Sequence, residues 1–540
     1  MHILAVIPAR GGSKGIPRKN LRLLNGKPLI YYAITNALRS RYITDVYVSS
    51  DDDEILYLAE TFGAKVHKRD PKIADDQTTL DPVIYDTFDY AQKREKKRYD
   101  IVVTMQPTSP LLQTESVDDA IERMLESDIE TIISVKDATH LSWRKEGDRY
   151  LPNYTERVNR QYLTPTFTET GGFLITRTIT PASRIGSRVD LYPLAPRESI
   201  DIDTYEDWNL CEYYLRQKHL LFVVTGHQQV GLGHVYNTLI LANDILNHRI
   251  TFLVDKHSQL AYEKIASHNY PVVMQSQEDI VSDIARIAPD VVINDRLDTD
   301  EAYIRSIQSL GCRVINFEDL GTGAKVADLV INAIYPEKEI LPKHYFGHRY
   351  FVLRDEFIYT PPKEVAPEVK RVLVTFGGVD PNNLTHKVID AIYSYTQAHG
   401  ITIEVVAGFG YERYDTLAAY SDIVIYRNVA HIAKLMQQSD LIFTSAGRTI
   451  YEVAAMRTPA IVLAQNEREM THLFASEEHG FMHLGLGAEV IPESIVSAFA
   501  GLAEDHDRRK QMSQKMDAVD LHSGRERVIE LIQTDIKEHR

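Results

Sequence analysis

A basic, glycine-rich loop near the start of the sequence has residues that could bind a polyphosphate. The apolar run Ile3–Ile7 continues into this loop, where Arg10, Lys14 and Lys19 lie among glycines such as Gly11. Glycine lets the backbone approach a ligand closely, and clustered amides and cations suit a triphosphate. The spacing differs from the P-loop pattern, which ends in Gly-Lys-Ser/Thr. The loop therefore predicts a nucleotide site of another kind, and a solvated basic turn is the alternative.

Two carboxylates near residue 200 could hold a metal ion beside such a loop. On a strand, Asp201 and Asp203 would point to one face while Ile200 and Ile202 point to the core. Two carboxylates on one face can form part of a Mg²⁺ shell, which water and phosphate oxygens complete. A pair of solvated acids, or a cap for the next helix, is the alternative.

A polar segment after a predicted strand could hydrogen-bond a base or a sugar. Its residues Gln106, Thr108 and Ser109 carry donors and acceptors, and Pro107 and Pro110 stiffen the backbone. The same residues also fit an ordinary turn, so the segment by itself leaves both interpretations open.

A histidine between a strand and a helix could act as a base in the second half of the chain. His234 follows Gly231 and Gly233, and glycines at a helix N-terminus favour close approach by a phosphate. Imidazole titrates near neutral pH and is a common general base. A histidine that only caps the helix is the alternative.

A second strand-to-helix junction lies at Thr444–Glu452. Gly447 and the free amides around Thr449 could hold a diphosphate, and Glu452 could accept two ribose hydroxyls. The alternative is an exposed glutamate on an ordinary helix.

The composition indicates an acidic protein of several domains. The chain has 540 residues and a net charge of −16, which predicts about two to four domains and argues against general nucleic-acid binding. The basic loop is a local exception and predicts a local anionic ligand. Cys211 and Cys312 form neither a metal spacing nor a disulfide framework, which indicates a reducing cytoplasm. We expect no signal peptide and no membrane span.

Short apolar strands alternate with amphipathic helices along the chain, which predicts an α/β fold with parallel sheets covered by helices on both faces. Ligands of such sheets bind at the carboxyl ends of the strands. Renewed strand starts predict three bodies, 1–218, 219–360 and 365–540, with a proline-rich linker before the last. The less regular region 136–199, with one clear strand at Gly171–Arg177, is interpreted as a lid or dimerisation region.

Four segments of the first 215 residues or so occur in an order and spacing typical of one enzyme family. They are Ala9–Gly15 with Lys19-Asn20, Gln106–Leu111, Gly171–Phe173 and Asp201–Asp203. With them the region resembles the acylneuraminate (CMP-sialic acid synthetase) cytidylyltransferases. The resemblance implies a Rossmann-like nucleotidyltransferase domain in which CTP and a nine-carbon 2-keto sugar acid give a CMP-sugar and pyrophosphate.

The same resemblance assigns three groups of site residues by position. They are Arg10, Gly11, Ser13, Lys14, Lys19 and Asn20 for CTP, with Arg10 and Lys19 catalytic; Gln106, Arg160 and Gln161 for the sugar acid; and Asp201 and Asp203 for Mg²⁺. Two departures concern the sugar, since Leu112 replaces a usual Arg and Thr170 a usual Asn. Members of the family are commonly dimers, which implies a homo-oligomer here. A related keto acid such as 3-deoxy-octulosonate is the alternative substrate.

A further set of segments lies between residues 219 and 500. They are Gly231–His234, Leu353–Phe357, Phe376–Asp380 with Asn383–Thr385, and Ser445–Glu452 with Pro459. They resemble the two-lobed GT-B fold and, within it, the hydrolase of pseudaminic acid biosynthesis that acts on a UDP-2,4-diacetamido-2,4,6-trideoxy-altrose. The resemblance implies that Gly231, Gly233, Gly447, Thr449 and Glu452 bind the UDP-sugar, and that His234 is the general base. Departures are Asn237, where an Arg is frequent, and Gln465-Asn466.

The sequence thus predicts a bifunctional enzyme of nonulosonic acid biosynthesis. Its substrates are expected to be CTP, a nonulosonic acid and a UDP-sugar, with Mg²⁺ as cofactor and neither nucleic acid nor a membrane as partner. Two alternatives concern the second half, which could be a GT-B glycosyltransferase or a nucleotide-sugar binding module without catalysis.

Overall fold

The structure is a computed structural model that describes residues 1–12, 15–74, 77–227, 231–337, 339–408, 410–427, 429 and 431–538. The chain divides into two compact units, Met1–Gln217 and Lys218–Arg540. Each unit is described by itself.

The first unit is built on a mixed sheet with the strand order β11-β7-β10-β6-β1-β4-β5. The strands of the first unit are β1 (Ile3–Pro8), β2 (Leu23–Leu24), β3 (Lys27–Pro28), β4 (Asp45–Ser50), β5 (Lys65–Lys68), β6 (Ile101–Thr104), β7 (Thr131–Asp137), β8 (Trp143–Glu146), β9 (Arg149–Pro152), β10 (Phe167–Thr176) and β11 (Val189–Pro193). Two pairs of them, β2 with β3 and β8 with β9, form separate two-stranded sheets. Its helices are α1 (Leu29–Arg39), α2 (Asp53–Thr61), α3 (Leu80–Glu95), α4 (Thr114–Leu125) and α5 (Tyr205–Arg216). The apolar strand runs are buried, as continuous hydrophobic strands of a covered sheet must be.

One strand of this sheet departs from the parallel arrangement predicted. Strand β10 pairs antiparallel with both β6 and β7, and its register with β7 shifts between Glu169 and Leu174. The expectation of a purely parallel sheet was therefore wrong here. A bulge of this kind bends a strand and redirects its residues, and Gly171 lies within the shift.

Local capping fixes where two helices begin near the sheet edge. Asp52 accepts the backbone N–H groups of Glu54 and Ile55, so α2 begins directly after it. Thr204 and Asp207 form a capping box, which starts α5 immediately after residue 203. Helix α4 begins at Thr114, and Gln113 occupies its N-cap position.

The second unit contains two parallel sheets, each in its own lobe. The first lobe has the order β14-β13-β12-β15-β16-β17-β18. Its strands are β12 (His219–Val224), β13 (Arg249–Val254), β14 (Val272–Met274), β15 (Val291–Asp295), β16 (Arg313–Phe317), β17 (Leu329–Asn332) and β18 (His344–Phe346). Its helices are α6 (Gly233–Asp244), α7 (Gln259–Ala266), α8 (Ile280–Ile287), α9 (Glu301–Ser309) and α10 (Asp355–Tyr359).

The second lobe has the order β21-β20-β19-β22-β23-β24. Its strands are β19 (Arg371–Val374), β20 (Thr402–Ala407), β21 (Val424–Arg427), β22 (Leu441–Thr444), β23 (Ala460–Ala464) and β24 (Phe481–Leu486). Its helices are α11 (Leu384–His399), α12 (Tyr414–Leu417), α13 (Ala433–Gln438), α14 (Thr449–Met456), α15 (Pro492–Glu504), α16 (His506–Asp517) and α17 (Gly524–Glu538).

The last helix ties the two lobes of this unit together. Val528, Ile532 and Ile536 on α17 are buried in the core of the first lobe, beside Leu220 of β12. The prediction of an α/β chain, with a Rossmann-like domain followed by a two-lobed GT-B-like module, is confirmed by this topology.

Candidate active sites

The basic loop of the first unit follows β1 and is tied to the end of the neighbouring strand β4. The backbone N–H of Gly11 donates to Asp51 Oδ1 at 3.0 Å. The Asn20 amide is buried and donates to the Arg10 carbonyl at 3.0 Å. These two bonds hold both ends of the loop and place Arg10 at the carboxyl edge of the sheet.

Lys19 lies against the acidic segment predicted to hold the metal ion. Its Nζ donates to the Ile202 carbonyl and lies 3.4 Å from Asp203 Oδ1. The loop approaches the same segment through Gly15, where a Cβ would lie 2.5 Å from the Asp203 carbonyl oxygen. Only glycine allows that approach. The predicted CTP residues Ser13 and Lys14 lie outside the described residues.

The segment Ile200–Asp203 is not the strand that the alternating pattern predicted. It is irregular and makes one sheet-like bond, from the Ile202 N–H to the Thr108 carbonyl at 2.8 Å. The capping box at Thr204 starts α5 so early that a strand has no room to continue. The alternation itself is retained, because Ile202 is fully buried beside Trp208.

A buried group of unpaired oxygens surrounds Asp201, and we call it the Asp201 cradle. Asp201 Oδ1 and the hydroxyls of Thr108 and Ser109 are buried, and within the described part of the chain none of them makes a hydrogen bond of standard geometry. All three face Gly171, where a Cβ would lie 3.0 to 3.2 Å from them. Burial raises the pKa of Asp201, the nearby Thr108 hydroxyl opposes that shift by interacting with the carboxylate, and the neighbouring carboxylate of Asp203 adds to it. A buried group of oxygens with unused hydrogen-bonding capacity is typical of a site that binds a cation or a polar ligand.

The predicted sugar-acid residues are only partly brought to this cradle. The backbone N–H of Gln106 donates to the Gly171 carbonyl at 3.2 Å, so Gln106 borders it. Arg160 and Gln161 are exposed, and Arg160 pairs with Asp137 at 3.1 Å. Among the described residues, no hydrogen bond or ion pair joins Arg160 or Gln161 to the cradle.

The two departures from the family pattern have structural roles. Leu112 is 3% exposed and packs in the core of the first unit. The Thr170 hydroxyl donates to the Ser134 carbonyl at 3.1 Å, beside the register shift of β10. Both side chains are therefore engaged within the protein.

Arg69 is a cation at this edge that sequence reasoning missed. It follows β5 directly, is buried, and donates to the Ser49 carbonyl at 2.9 Å. Burial lowers the pKa of Arg69, Asp51 opposes that shift, and the positive charge of Arg10 adds to it. Two arginines held so close favour an anion between or beside them. Its position directly after a strand, which Arg69 shares with Arg10 and Asp51, could have identified it from the sequence.

The residues that would hold a metal ion in the first unit are Asp201 and Asp203, the pair predicted from the sequence. No group of three or more His, Cys, Asp or Glu side chains with metal-binding geometry is present among the residues that the structure describes. A two-carboxylate site fits Mg²⁺, which keeps several waters and takes further oxygens from a substrate phosphate. The unpaired Asp201 Oδ1 is the observation in favour of that fit.

The second unit places His234 in a hydrogen-bonded chain at the start of α6. His234 Nδ1 donates to Asp295 Oδ1 at 2.5 Å, and Asn237 Nδ2 donates to Asp295 Oδ2 at 2.6 Å. Asp295 is fully buried at the carboxyl end of β15. Gly231, with φ at +83°, opens the turn before the helix. The partner Asp295 was not predicted, although it ends a predicted strand.

The second predicted nucleotide segment lies in the other lobe, before and within α14. A Cβ on Gly447 would lie 3.1 Å from Glu469 Oε1, and Thr449 begins the helix. Glu452 accepts a hydrogen bond from Arg354 Nε at 2.8 Å. The carboxylate predicted to bind a ribose is therefore paired with an arginine in this structure.

Comparisons with known proteins identify a family for the first unit. A family profile described as Cytidylyltransferase matches residues 4–149. The CMP-N,N'-diacetyllegionaminic acid synthase of Legionella pneumophila is 33% identical over 225 residues, which are 39% of this chain and 95% of that protein. The N-acylneuraminate cytidylyltransferase A of Danio rerio is 33% identical over 220 residues, or 39% of this chain. That match spans only 50% of the fish protein's length.

Solved structures cover the other part of the chain more loosely. The MurG structure from Acinetobacter baumannii covers 59% of this chain and 99% of its own, at 16% identity and a TM-score of 0.44. A likeness of this size says nothing about activity. In the described residues, no helix is both long and apolar enough to cross a membrane.

Proposed function

The chain belongs to the cytidylyltransferase family, and from that premise we propose that its first unit activates a nonulosonic acid with CTP. The acid is of the sialic, pseudaminic or legionaminic type, and the products are the CMP-sugar and pyrophosphate. The observation that carries the proposal is the Asp201 cradle, in which the partly buried carboxylate of Asp201 directly precedes the Ile202 carbonyl that Lys19 of the basic loop contacts. A site for a metal and a triphosphate requires such an arrangement of opposite charges.

In the proposed reaction, the anomeric hydroxyl of the sugar acid attacks the α-phosphorus of CTP and pyrophosphate leaves. Arg10, Lys19 and Arg69 bind the triphosphate and stabilise the charge that develops on the leaving group. Asp201 and Asp203 would hold Mg²⁺, which supplies Lewis-acid polarisation of the phosphate when bound. Catalysis is then mainly positioning and electrostatics, and no protein base has to be assigned.

Pyrophosphate release tests this proposal. The full chain is incubated with CTP, Mg²⁺ and, in separate reactions, sialic, pseudaminic, legionaminic and 3-deoxy-octulosonic acid. Release with one of the nine-carbon acids supports the proposal and names the substrate. Release only with 3-deoxy-octulosonic acid would show that this eight-carbon acid is the substrate instead. Release with none of the acids would contradict the proposed activity.

For the second unit we propose hydrolysis of a UDP-diacetamido-trideoxyhexose to the free sugar and UDP. The specific observation in its favour is the bond from His234 to the buried Asp295. A carboxylate on Nδ1 fixes the imidazole so that Nε2 is the unprotonated atom, which can take a proton from water. The water then displaces UDP from the anomeric carbon, while Gly231, Gly233 and the segment Gly447–Glu452 hold the nucleotide.

Incubation with the UDP-sugar alone discriminates the proposed hydrolysis from its alternatives. UDP release without any acceptor supports hydrolysis. No release without an acceptor, but release with one, would show a glycosyltransferase. Binding of UDP without turnover under both conditions would leave the second unit as a nucleotide-sugar binding module.

The two proposed reactions belong together chemically. Hydrolysis yields a free 2,4-diacetamido sugar, a condensation by another enzyme adds three carbons, and the first unit activates the product. The substrates are small molecules, and we further propose a homodimer formed through the region 136–199, on the analogy with the family. Sedimentation of the full chain tests that assembly, and a monomer at micromolar concentration would contradict it.

A further inference from the structure

We propose that Arg448 is a positioning residue for the His234–Asp295 pair and that it acts through Asn237. Arg448 belongs to the second lobe, whereas the other three residues belong to the first. The proposal rests on the proposed hydrolysis for its meaning in catalysis. Its geometry, however, is a property of the structure.

The four side chains form one continuous chain of hydrogen bonds. Arg448 Nη2 donates to Asn237 Oδ1 at 3.1 Å. Asn237 Nδ2 donates to Asp295 Oδ2 at 2.6 Å, and His234 Nδ1 donates to Asp295 Oδ1 at 2.5 Å. Asn237 is 3% exposed and Asp295 fully buried, so water does not compete at the centre of the chain.

The order of donors leaves each group one orientation. A guanidinium can only donate, so it requires the oxygen of the Asn237 amide and turns the NH₂ group toward Asp295. Asp295 then accepts one bond on each oxygen, and one of its two donors is His234 Nδ1. Without Arg448, the Asn237 amide oxygen loses its donor, so the amide is held only by its bond to Asp295 and its position is less well fixed.

Arg448 is itself held firmly at the boundary of the two lobes. Its guanidinium lies 4.7 Å from the centre of the Phe351 ring, and its Nη1 lies 3.7 Å from Glu318 Oε1. Its Cδ would lie 3.3 Å from a Cβ on Gly233, at the first residue of α6. The side chain therefore reaches the helix of His234 from the opposite lobe.

The neighbours of Arg448 in sequence explain why this link matters. Gly447 and Thr449, on either side of it, are the proposed nucleotide contacts of the second lobe. A UDP-sugar that orders this segment also orders Arg448, and through Asn237 it fixes the imidazole that activates water. Nucleotide binding in one lobe would thus be coupled to the base in the other.

A double-mutant cycle tests the proposal on the full chain. Asn237→Ala and Arg448→Met should each lower kcat for UDP release by about 10- to 100-fold, the usual effect of removing an orienting partner. For Asn237→Ala, KM should change by less than about 3-fold, because Asn237 meets the nucleotide segment only through the Arg448 guanidinium and not through Gly447 or Thr449. The kcat of the double variant should lie within about 3-fold of the kcat of the slower single variant, because both substitutions break the same chain of hydrogen bonds.

Arg468→Met is the matched control. Arg468 also joins the lobes, through the Tyr335 hydroxyl at 2.5 Å and Asp298 at 3.1 Å, but among the described residues no hydrogen bond links it to Asn237. When Arg468→Met is combined with Asn237→Ala, the fold reductions in kcat of the two single variants should multiply. Multiplicative effects of Arg448→Met and Asn237→Ala, or an unchanged kcat in Asn237→Ala, would overturn the proposal.

A spectroscopic readout separates this proposal from the proposed hydrolysis. In ¹⁵N-histidine-labelled protein, the hydrogen-bonded Nδ1 proton of His234, assigned with His234→Gln, should resonate far downfield and weaken in Arg448→Met and Asn237→Ala but not in Arg468→Met. A wild type that releases no UDP but shows this pattern would refute hydrolysis and keep the positioning role. An unchanged Nδ1 signal in both variants would refute the positioning role whatever the activity.

Discussion

The two candidate sites of this chain treat their polar atoms in opposite ways. In the first unit, three buried oxygens around Gly171, one of them on Asp201, have no hydrogen-bond partner within the described residues. In the second unit, both oxygens of Asp295 are used, by His234 and by Asn237. The first arrangement leaves room for a cation, and the second fixes the tautomer of an imidazole. The difference teaches that a carboxylate placed to bind a cation keeps an oxygen available, whereas a carboxylate placed to orient an imidazole has both oxygens hydrogen-bonded.

That difference has an energetic side. A buried polar atom without a partner costs about 1–3 kcal/mol of folding free energy, and the two bonded oxygens of Asp295 avoid that cost. The first site should therefore gain stability when its unpaired carboxylate is neutralised, while the second should lose order when one of its members is removed.

The largest effect is expected for Asp201→Asn. Loss of the metal carboxylate should reduce pyrophosphate release by about 1,000-fold or more, because the charge that develops in the transition state loses its counter-charge. The Asn variant should unfold at the same or higher urea concentration than the wild type at neutral pH, since burial raises the pKa of Asp201 and the ionised form therefore destabilises the native state.

Tryptophan fluorescence measures this stability, because Trp143 and Trp208 both lie in the first unit. Asp128→Asn, on an exposed carboxylate paired with Arg188, is the matched control and should keep full activity. A destabilised Asp201→Asn protein would contradict the view that this oxygen is an unsatisfied one.

The second largest effect is expected for His234→Gln. Removal of the base should lower UDP release by about 100- to 10,000-fold and leave pyrophosphate release unchanged. His268→Gln is the control in the same lobe, since His268 is exposed and bonds only locally to the Lys264 carbonyl and Ser267. Equal loss in both histidine variants would show that His234 has no special role.

A smaller effect is expected for Arg69→Met. The loss of a charge-assisted contact to the triphosphate should raise the KM for CTP by about 10-fold. Steady-state kinetics with varied CTP measure this change, and Arg188→Met, on the exposed face of the same unit, should leave KM unaltered. An unchanged KM in Arg69→Met would assign that buried cation to structure alone.

The last prediction concerns stability rather than activity, namely the pH dependence of unfolding in the second unit. Burial raises the pKa of Glu318 from an ordinary 4.5 to about 7, and Arg448 opposes that shift. The native state then holds a proton that the unfolded chain releases, so stability should fall as pH rises from about 4.5 to 7, by up to about 3 kcal/mol. Calorimetry at pH 5, 6, 7 and 8 should show this slope in the wild type and a flatter one in Glu318→Gln. A difference in unfolding free energy between wild type and Glu318→Gln that stays constant with pH would contradict this prediction.

The sequence predicted the regular framework because its strands are continuous apolar runs. The apolar run Ile101–Met105 of the sequence forms the strand Ile101–Thr104, and the run Thr402–Ala407 forms a strand over its whole length. The region 136–199 was less predictable, because β10 lies antiparallel between two strands and is bulged at Gly171. A strand placed by its neighbours in space leaves little periodic signal in its own residues.

The same limit applies to the candidate sites. Loop residues such as Lys19 and His234 could be found because glycines and a strand-to-helix junction mark their positions. The partner of His234 could not, because Asp295 is 61 positions away, and Asp203, although predicted as a metal ligand, is 184 positions from the Lys19 that it contacts. Such pairs depend on how the sheets bring distant strand ends together, which local patterns do not encode.

Phosphorus NMR on one sample tests the central claim most directly. The full chain is mixed with Mg²⁺, CTP, the nonulosonic acid that it accepts and the UDP-diacetamido sugar, without any glycosyl acceptor. The account predicts a CMP-ester and pyrophosphate in equal amounts, lost selectively in Asp201→Asn, and free UDP, lost selectively in His234→Gln. A mixture in which CTP stays intact, or in which either variant abolishes both reactions, would contradict two independent sites of opposite design.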